Sequence, residues 1–142
     1  MKIIRISVDN EITVHEYPTG SYSEQYQKFR ELIGTRCRSY EHVMPKRLYT
    51  ELGGSNKVTN EDGNCVSMLV DAEGLYHDLK INRVGSYLYE TDKHGYAIVG
   101  NILIIGEKWD DEGIGFCGIS DKQFDSLYSQ LERLVKKARG VE

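Results

Sequence analysis

Ala97-Ile98-Val99-Gly100-Asn101-Ile102-Leu103-Ile104-Ile105 is apolar at successive positions, so it offers apolar side chains to both faces of a sheet. That is the pattern of a central strand covered on both sides, and it makes the rest of the chain a search for the layers that cover it. Cys65-Val66-Ser67-Met68-Leu69-Val70-Asp71 reads as a second strand, closed by the turn Ala72-Glu73-Gly74 and followed by a return strand at 75–78. At the N-terminal end, residues 2–8 and 11–17 alternate around Asp9-Asn10, the pattern of a β-hairpin. Residues 35–43 read as a further strand that Pro45 ends, and 46–52 as a short helix or strand. Residues 53–64 and the Gly-rich, acidic 106–119 read as loops.

Two long helices supply the cover. Tyr22, Tyr26, Phe29 and Ile33 fall on one stripe of a helix over 22–33, with Ser21 or Ser23 as its cap and Gly34 closing its end at positive φ. Phe124, Leu127, Leu131, Leu134, Val135 and Ala138 make a continuous stripe over 121–138, where Ser120 and Gln123 spell a capping box. Asn82 caps a short helix at about 83–90, which Gly85 weakens by ~1 kcal/mol relative to Ala. The fold class is α+β: one mainly antiparallel sheet of about five to seven strands, packed by two long helices and one short helix. A chain of 142 residues fits one domain over 1–142.

Composition narrows the function classes. Apolar residues are 39% of the chain, enough for a modest core and too many for disorder. With 18 basic and 22 acidic residues, the formal charge of −4 disfavours tight binding to duplex nucleic acid, where phosphate contacts dominate affinity. No apolar run approaches the ~20 residues of a membrane span. Three cysteines with no close pairing suit a reducing cytoplasm. No nucleotide-fold fingerprint, P-loop, nucleophile elbow or zinc spacing occurs, so no cofactor and no metal is expected. Cys37 stands between Arg36 and Arg38, whose alternation sends them to the opposite sheet face. The thiols read as small buried hydrophobes. Asp110-Asp111-Glu112 lacks the spacing of a calcium loop and reads as a solvated acidic loop.

Tyrosine is the unusual residue: 10 Tyr stand beside 3 Phe and 1 Trp. Tyr offers an aromatic face and a hydroxyl, which suits polar pockets and interfaces. Asn82, Arg83, Tyr87 and Tyr89 lie within one short stretch, and Arg36 and Arg38 with Lys46 and Arg47 add positive charge. A ring to stack on a base and a guanidinium to pair with phosphate together make a site for a nucleotide-like ligand. A plainer account has Tyr22, Tyr26, Tyr40 and Tyr128 filling a half-polar core while the basic residues form a solvated face.

The stretch from Met68 to Ile105 resembles the family named domain of unknown function 3846. A strand ends Leu-Val-Asp, the turn Ala-Glu-Gly follows, Asn82 precedes a small-residue helix, and Ile98-Val99-Gly100-Asn101-Ile102 closes the match. The opening strand Lys2 to Val8 and its hairpin are also similar. The chain departs from the family's pattern at Ile81, where Pro is usual, and at Gly85-Ser86, where Ala-Thr is usual. The resemblance implies a small cytosolic protein of bacteria, phages and mobile elements, and carries no activity to transfer.

The reading that follows is a non-enzymatic protein of phage or mobile-element type that holds a small polar ligand. A nucleotide-derived immune signal, sequestered without turnover, is the sharpest form of it. Its site residues are Asn82, Arg83, Tyr87, Tyr89, Arg36 and Arg38, and copies associate so that pockets form between them. The first rival is a protein-interaction module that inhibits a host enzyme through exposed Tyr and the acidic loop 107–112. The second is a small metal-dependent hydrolase, which needs carboxylates or His converging in a pocket.

Overall fold

A computed structural model describes residues 1–34, 36–74 and 79–140 of the chain. It is α+β, with a six-stranded sheet whose strand-to-strand pairings are all antiparallel. The strands are β1 (Lys2–Ile6), β2 (Ile12–Glu16), β3 (Tyr40–Val43), β4 (Cys65–Asp71), β5 (Ile102–Asp110) and β6 (Gly113–Cys117). Among the described residues the helices are α1 (Tyr22–Ile33), α2 (Lys46–Thr50), α3 (Arg83–Leu88), α4 (Thr91–His94) and α5 (Asp121–Ala138). The two long ones are those expected, and three short ones accompany them.

The sheet runs β2-β1-β5-β4-β3, and β6 pairs with the outer half of β5. β5 therefore serves two partners in succession: Ile102 and Ile104 pair with β1, then Gly106 to Asp110 pair with β6. Its other edge pairs with β4. Alternation along the strands divides the core into two layers. Ile4, Ile6, Met68, Val70, Ile102 and Ile104 point to one face, where Leu48 of α2, Val84 and Leu88 of α3, and Leu127, Leu131 and Val135 of α5 cover them. Ile3, Leu69, Leu103 and Ile105 point to the other, under Phe29 and Ile33 of α1. Each such side chain, fully buried, stabilises the fold by about 1.5–3 kcal/mol before entropy is counted.

Several expectations are corrected. The strand expected over 97–105 runs over 102–110: Gly100 adopts φ +82°, which breaks the extended run, and Ile98 and Val99 are buried in an irregular segment bridged to Ile81. The expected loop 106–119 is largely a hairpin of β5 and β6. Gly106 and Gly118 are demanded by crowding, since a Cβ on Gly106 would run into the carbonyl of Gly118 and one on Gly118 into the backbone at Met1 and Lys2. The strand expected over 35–43 is regular only over Tyr40–Val43. Gly34 closes α1 at φ 168°, an extended conformation, while its N–H still reaches the Arg30 carbonyl. Ser21 and Glu24 form a reciprocal capping box on α1, but Ser120 makes no side-chain cap on α5. Gln123 turns its amide to Asn64 instead, at 3.4 Å. The expected return strand at 75–78 lies outside the described residues, as does position 35.

Candidate functional site

α3 takes its start from Asn82. This side chain is fully buried and uses every group it has: its oxygen accepts from Gly85 N at 2.8 Å, and its amide donates to the carbonyls of Ile6 at 3.1 Å and Gly100 at 3.0 Å. Asn82 ties the helix to β1 and to the segment before β5, so it is part of the scaffold. Gly85 is the residue that lets α3 lie this close, because a Cβ there would stand 3.1 Å from Ile98 Cγ2 and 3.2 Å from Ile102 Cγ2. One turn of helix then brings Arg83 and Tyr87 onto the same outer face.

Across from that face lies α5. Arg83, Tyr87 and Lys137 line a hollow of about 320 Å³ floored by Val84 and Leu134. Tyr87, Leu134 and Lys137 also line an adjoining hollow of about 300 Å³, together with Glu51, Arg133 and Gln130. The two make one groove between α3 and α5. Three cations meet one carboxylate there, so the groove carries an excess of positive charge. Arg83 donates one bond at 3.2 Å to the carbonyl of Ala138, which steadies it at the groove's end. Arg133 and Lys137 are four residues apart on an 18-residue helix whose opposite stripe, Leu127, Leu131 and Val135, is buried. Neither stands out in the sequence as a site residue, since a cation pair on the outer face of an amphipathic helix has the pattern of ordinary solubility. Nothing local in 121–138 identifies α3 as the neighbour.

Tyr87 joins this groove to a second, self-contained cluster. Its hydroxyl donates to Glu51, which pushes the phenol's pKa above the ordinary 10.0. Its ring lies 4.5 Å from the Arg47 guanidinium, a cation–π contact. Arg47 donates to both oxygens of Asp92, at 2.6 and 2.9 Å, and to the Tyr87 carbonyl at 3.0 Å. Glu51 and Glu90 lie 3.3 and 4.0 Å from its Nε. That bidentate pair holds the Asp92 carboxyl below its usual range. Arg47 is therefore committed to joining α2, α3 and α4, and is not free charge for a ligand.

The other expected site residues are not gathered here. Tyr89 is half-buried against His94, with ring centroids 4.8 Å apart, and faces a hollow of about 230 Å³ with Tyr96 and Glu41. Arg36 is exposed and lines a hollow of about 490 Å³ with Arg5, Lys80, Glu31 and Asp71 at the end of α1. Arg38 is exposed as well, and its carbonyl accepts the Tyr26 hydroxyl at 3.5 Å. Of the six expected residues, the structure brings together Arg83 and Tyr87.

The thiols are all buried. Burial pushes Cys37 and Cys117 up to about 11 and Cys65 up to about 12, values that leave little thiolate near neutrality. Cys65 donates at 2.9 Å to Glu107, whose other oxygen lies 3.2 Å from His42 Nε2. Among the described residues, no group of three or more His, Cys, Asp or Glu is arranged to hold a metal. No described helix is long and apolar enough to cross a membrane. The family model of domain of unknown function 3846 matches residues 1–132. No curated protein and no solved structure matches the chain.

Proposed function

We propose, for a chain that belongs to the domain of unknown function 3846 family, a binding role centred on the α3–α5 groove: it holds a small, flat, anionic ligand of nucleotide type. The observation that carries this reading is the meeting of Arg83, Arg133 and Lys137 around an apolar floor, with the Tyr87 ring at the side. Guanidinium and ammonium groups pair with phosphate oxygens, and a phenol ring stacks on a base. The lining consists of cations, a phenol, aliphatic side chains, Gln130 and one carboxylate, Glu51, which already accepts the Tyr87 hydroxyl and lies 3.3 Å from Arg47 Nε; the set is suited to holding a ligand. Sequestration of a nucleotide-derived signal is the function such a site would serve. A second copy laid over the open side of the groove would deepen it.

Calorimetric titration with mononucleotides and cyclic nucleotides tests the reading. A saturable heat is expected with at least one of them, with the ligand recovered unchanged afterwards. The double variant R133E/K137E should weaken binding by at least about tenfold, which is ~1.4 kcal/mol. Its unfolding transition should stay in place, because both positions are exposed. Equal affinity in the variant, conversion of the ligand, or no heat from any nucleotide would each defeat the proposal.

A further inference from the structure

Four tyrosines that the groove does not use, Tyr17, Tyr22, Tyr26 and Tyr40, collect on the opposite face of the sheet. Tyr17, Tyr22, Tyr26, Phe29, Tyr40 and Phe116 line a hollow of about 340 Å³ between the first half of α1 and the β5–β6 hairpin. Their rings brace one another: Tyr26 and Tyr40 centroids are 4.9 Å apart, and Phe29 meets Tyr17 at 5.6 Å and Tyr40 at 5.8 Å in edge contacts. Tyr17 is fixed further by its hydroxyl, whose one proton is shared between the Phe116 carbonyl at 3.1 Å and Gln25 Oε1 at 3.3 Å. The wall is thus built before anything enters it.

The charges on the rim come from the hairpin. Asp110 and Glu112 line the hollow, and Lys108 offsets one of them, leaving an excess of negative charge. Aromatic faces are negative at their centres, so rings and carboxylates favour the same kind of guest, an organic cation. One of these rings already takes such a group from within the chain, since the Arg30 guanidinium lies 5.7 Å from the Tyr26 centroid. Around the hollow the surface stays apolar: Tyr22 is 81% exposed, and Trp109 and Ile114, register partners across the hairpin, are 55% and 54% exposed. A small cation would fill the hollow and leave those side chains in water. A protein segment would cover them.

We infer that this hollow is a docking site for a partner protein, which inserts an arginine side chain between the α1 tyrosines and the hairpin carboxylates. The guanidinium lies flat on the rings while Asp110 and Glu112 pair with its N–H groups. Trp109 and Ile114 then pack on the flanking residues of the partner segment. The inference rests on different residues, the other sheet face and the opposite charge from the groove, so either can fail alone.

The probe is a short fluorescein-labelled Gly/Ser peptide carrying a pair of arginines, followed by anisotropy and by the emission of Trp109, the only tryptophan in the chain. Saturable binding with a shift in Trp109 emission is expected. Replacing both arginines by citrulline, which keeps the shape and removes the charge, should abolish it. D110N/E112Q should weaken binding by about tenfold, at a position where Asn can still accept the turn bond that Asp110 receives from Glu112 N. Y22A, a change at an exposed ring, should weaken it severalfold. Equal binding of the citrulline peptide, no loss in D110N/E112Q, or no binding of either peptide would overturn the inference. Free arginine binding as tightly as the peptide would overturn the assignment to a protein partner.

Discussion

Asn82 and Arg83 are adjacent in the chain and belong to different economies of polar contact. Asn82 has no exposure, and its three hydrogen bonds all end on backbone. Arg83 is exposed, with a single bond to a helix-end carbonyl and the rest of its donors toward the groove. The same contrast separates Arg47, locked against Asp92 with Glu51 and Glu90 close by, from Arg133 and Lys137. Residue type does not distinguish the two sets. What does is the number of internal partners that already consume the donors. A cation with three carboxylates within 4.0 Å is holding the molecule together, and one facing an apolar floor is available to something else.

The largest expected effect comes from breaking the interior set. Asn82→Ala removes three buried hydrogen bonds, at a cost of about 3 kcal/mol. Urea denaturation should show it as a fall in midpoint. Arg83→Ala, one residue on, should move the midpoint by less than about 1 kcal/mol and instead weaken nucleotide binding. Equal stability losses in the two variants would erase the distinction between scaffold and groove.

Glu107 provides a gentler test on the other sheet face. His42, together with the Cys65 thiol, holds its carboxyl below the ordinary 4.5, against the opposing pull of burial. A depressed folded-state pKa means stability that is present above 4.5 and is lost as pH falls through the folded value. Denaturation midpoints measured on acidification should therefore decline below about that pH, and His42→Gln should flatten the decline. A slope unaltered by the substitution would remove Glu107 from the interior set.

The smallest effect probes Tyr87, which sits on the boundary between the two sets. In Glu51→Gln the phenol loses the carboxylate that raises its pKa, so its ultraviolet titration should move back toward 10.0. The same change removes the one negative charge lining the groove and should strengthen anion binding by about two- to threefold. Tighter binding without the optical shift would place Tyr87 outside the carboxylate's reach.

Much of the architecture is legible in local pattern. The stripes of 22–33 and 121–138 and the apolar run 65–71 match the observed bounds of α1, α5 and β4, because each depends on which side chains face a layer. The hairpin at 106–117 was hidden for the reason that makes it possible: its glycines look like loop punctuation, yet Gly106 is glycine because the backbone at Gly118 crosses close by. Ser120 and Gln123 fit a capping box in sequence, but Asn64, 59 residues away, competes for Gln123. The groove was half legible. Arg83 and Tyr87 lie four apart on one short helix, whereas Arg133 and Lys137 are joined to them only by the docking of α5. The six-ring hollow shares that difficulty, since its members come from α1, β3, β6 and the end of the first hairpin.

Because helices cover both faces of the sheet, the proposed anion groove and cation hollow stand on opposite sides of it, with the α3–α5 layer and the strand layer between them. Helices are about 10 Å across, so the two sets of charge are separated by more than the ~8 Å screening distance of physiological salt. Loading one side would then leave the affinity of the other unaltered, and a single copy could keep its small cargo while clasped to a protein.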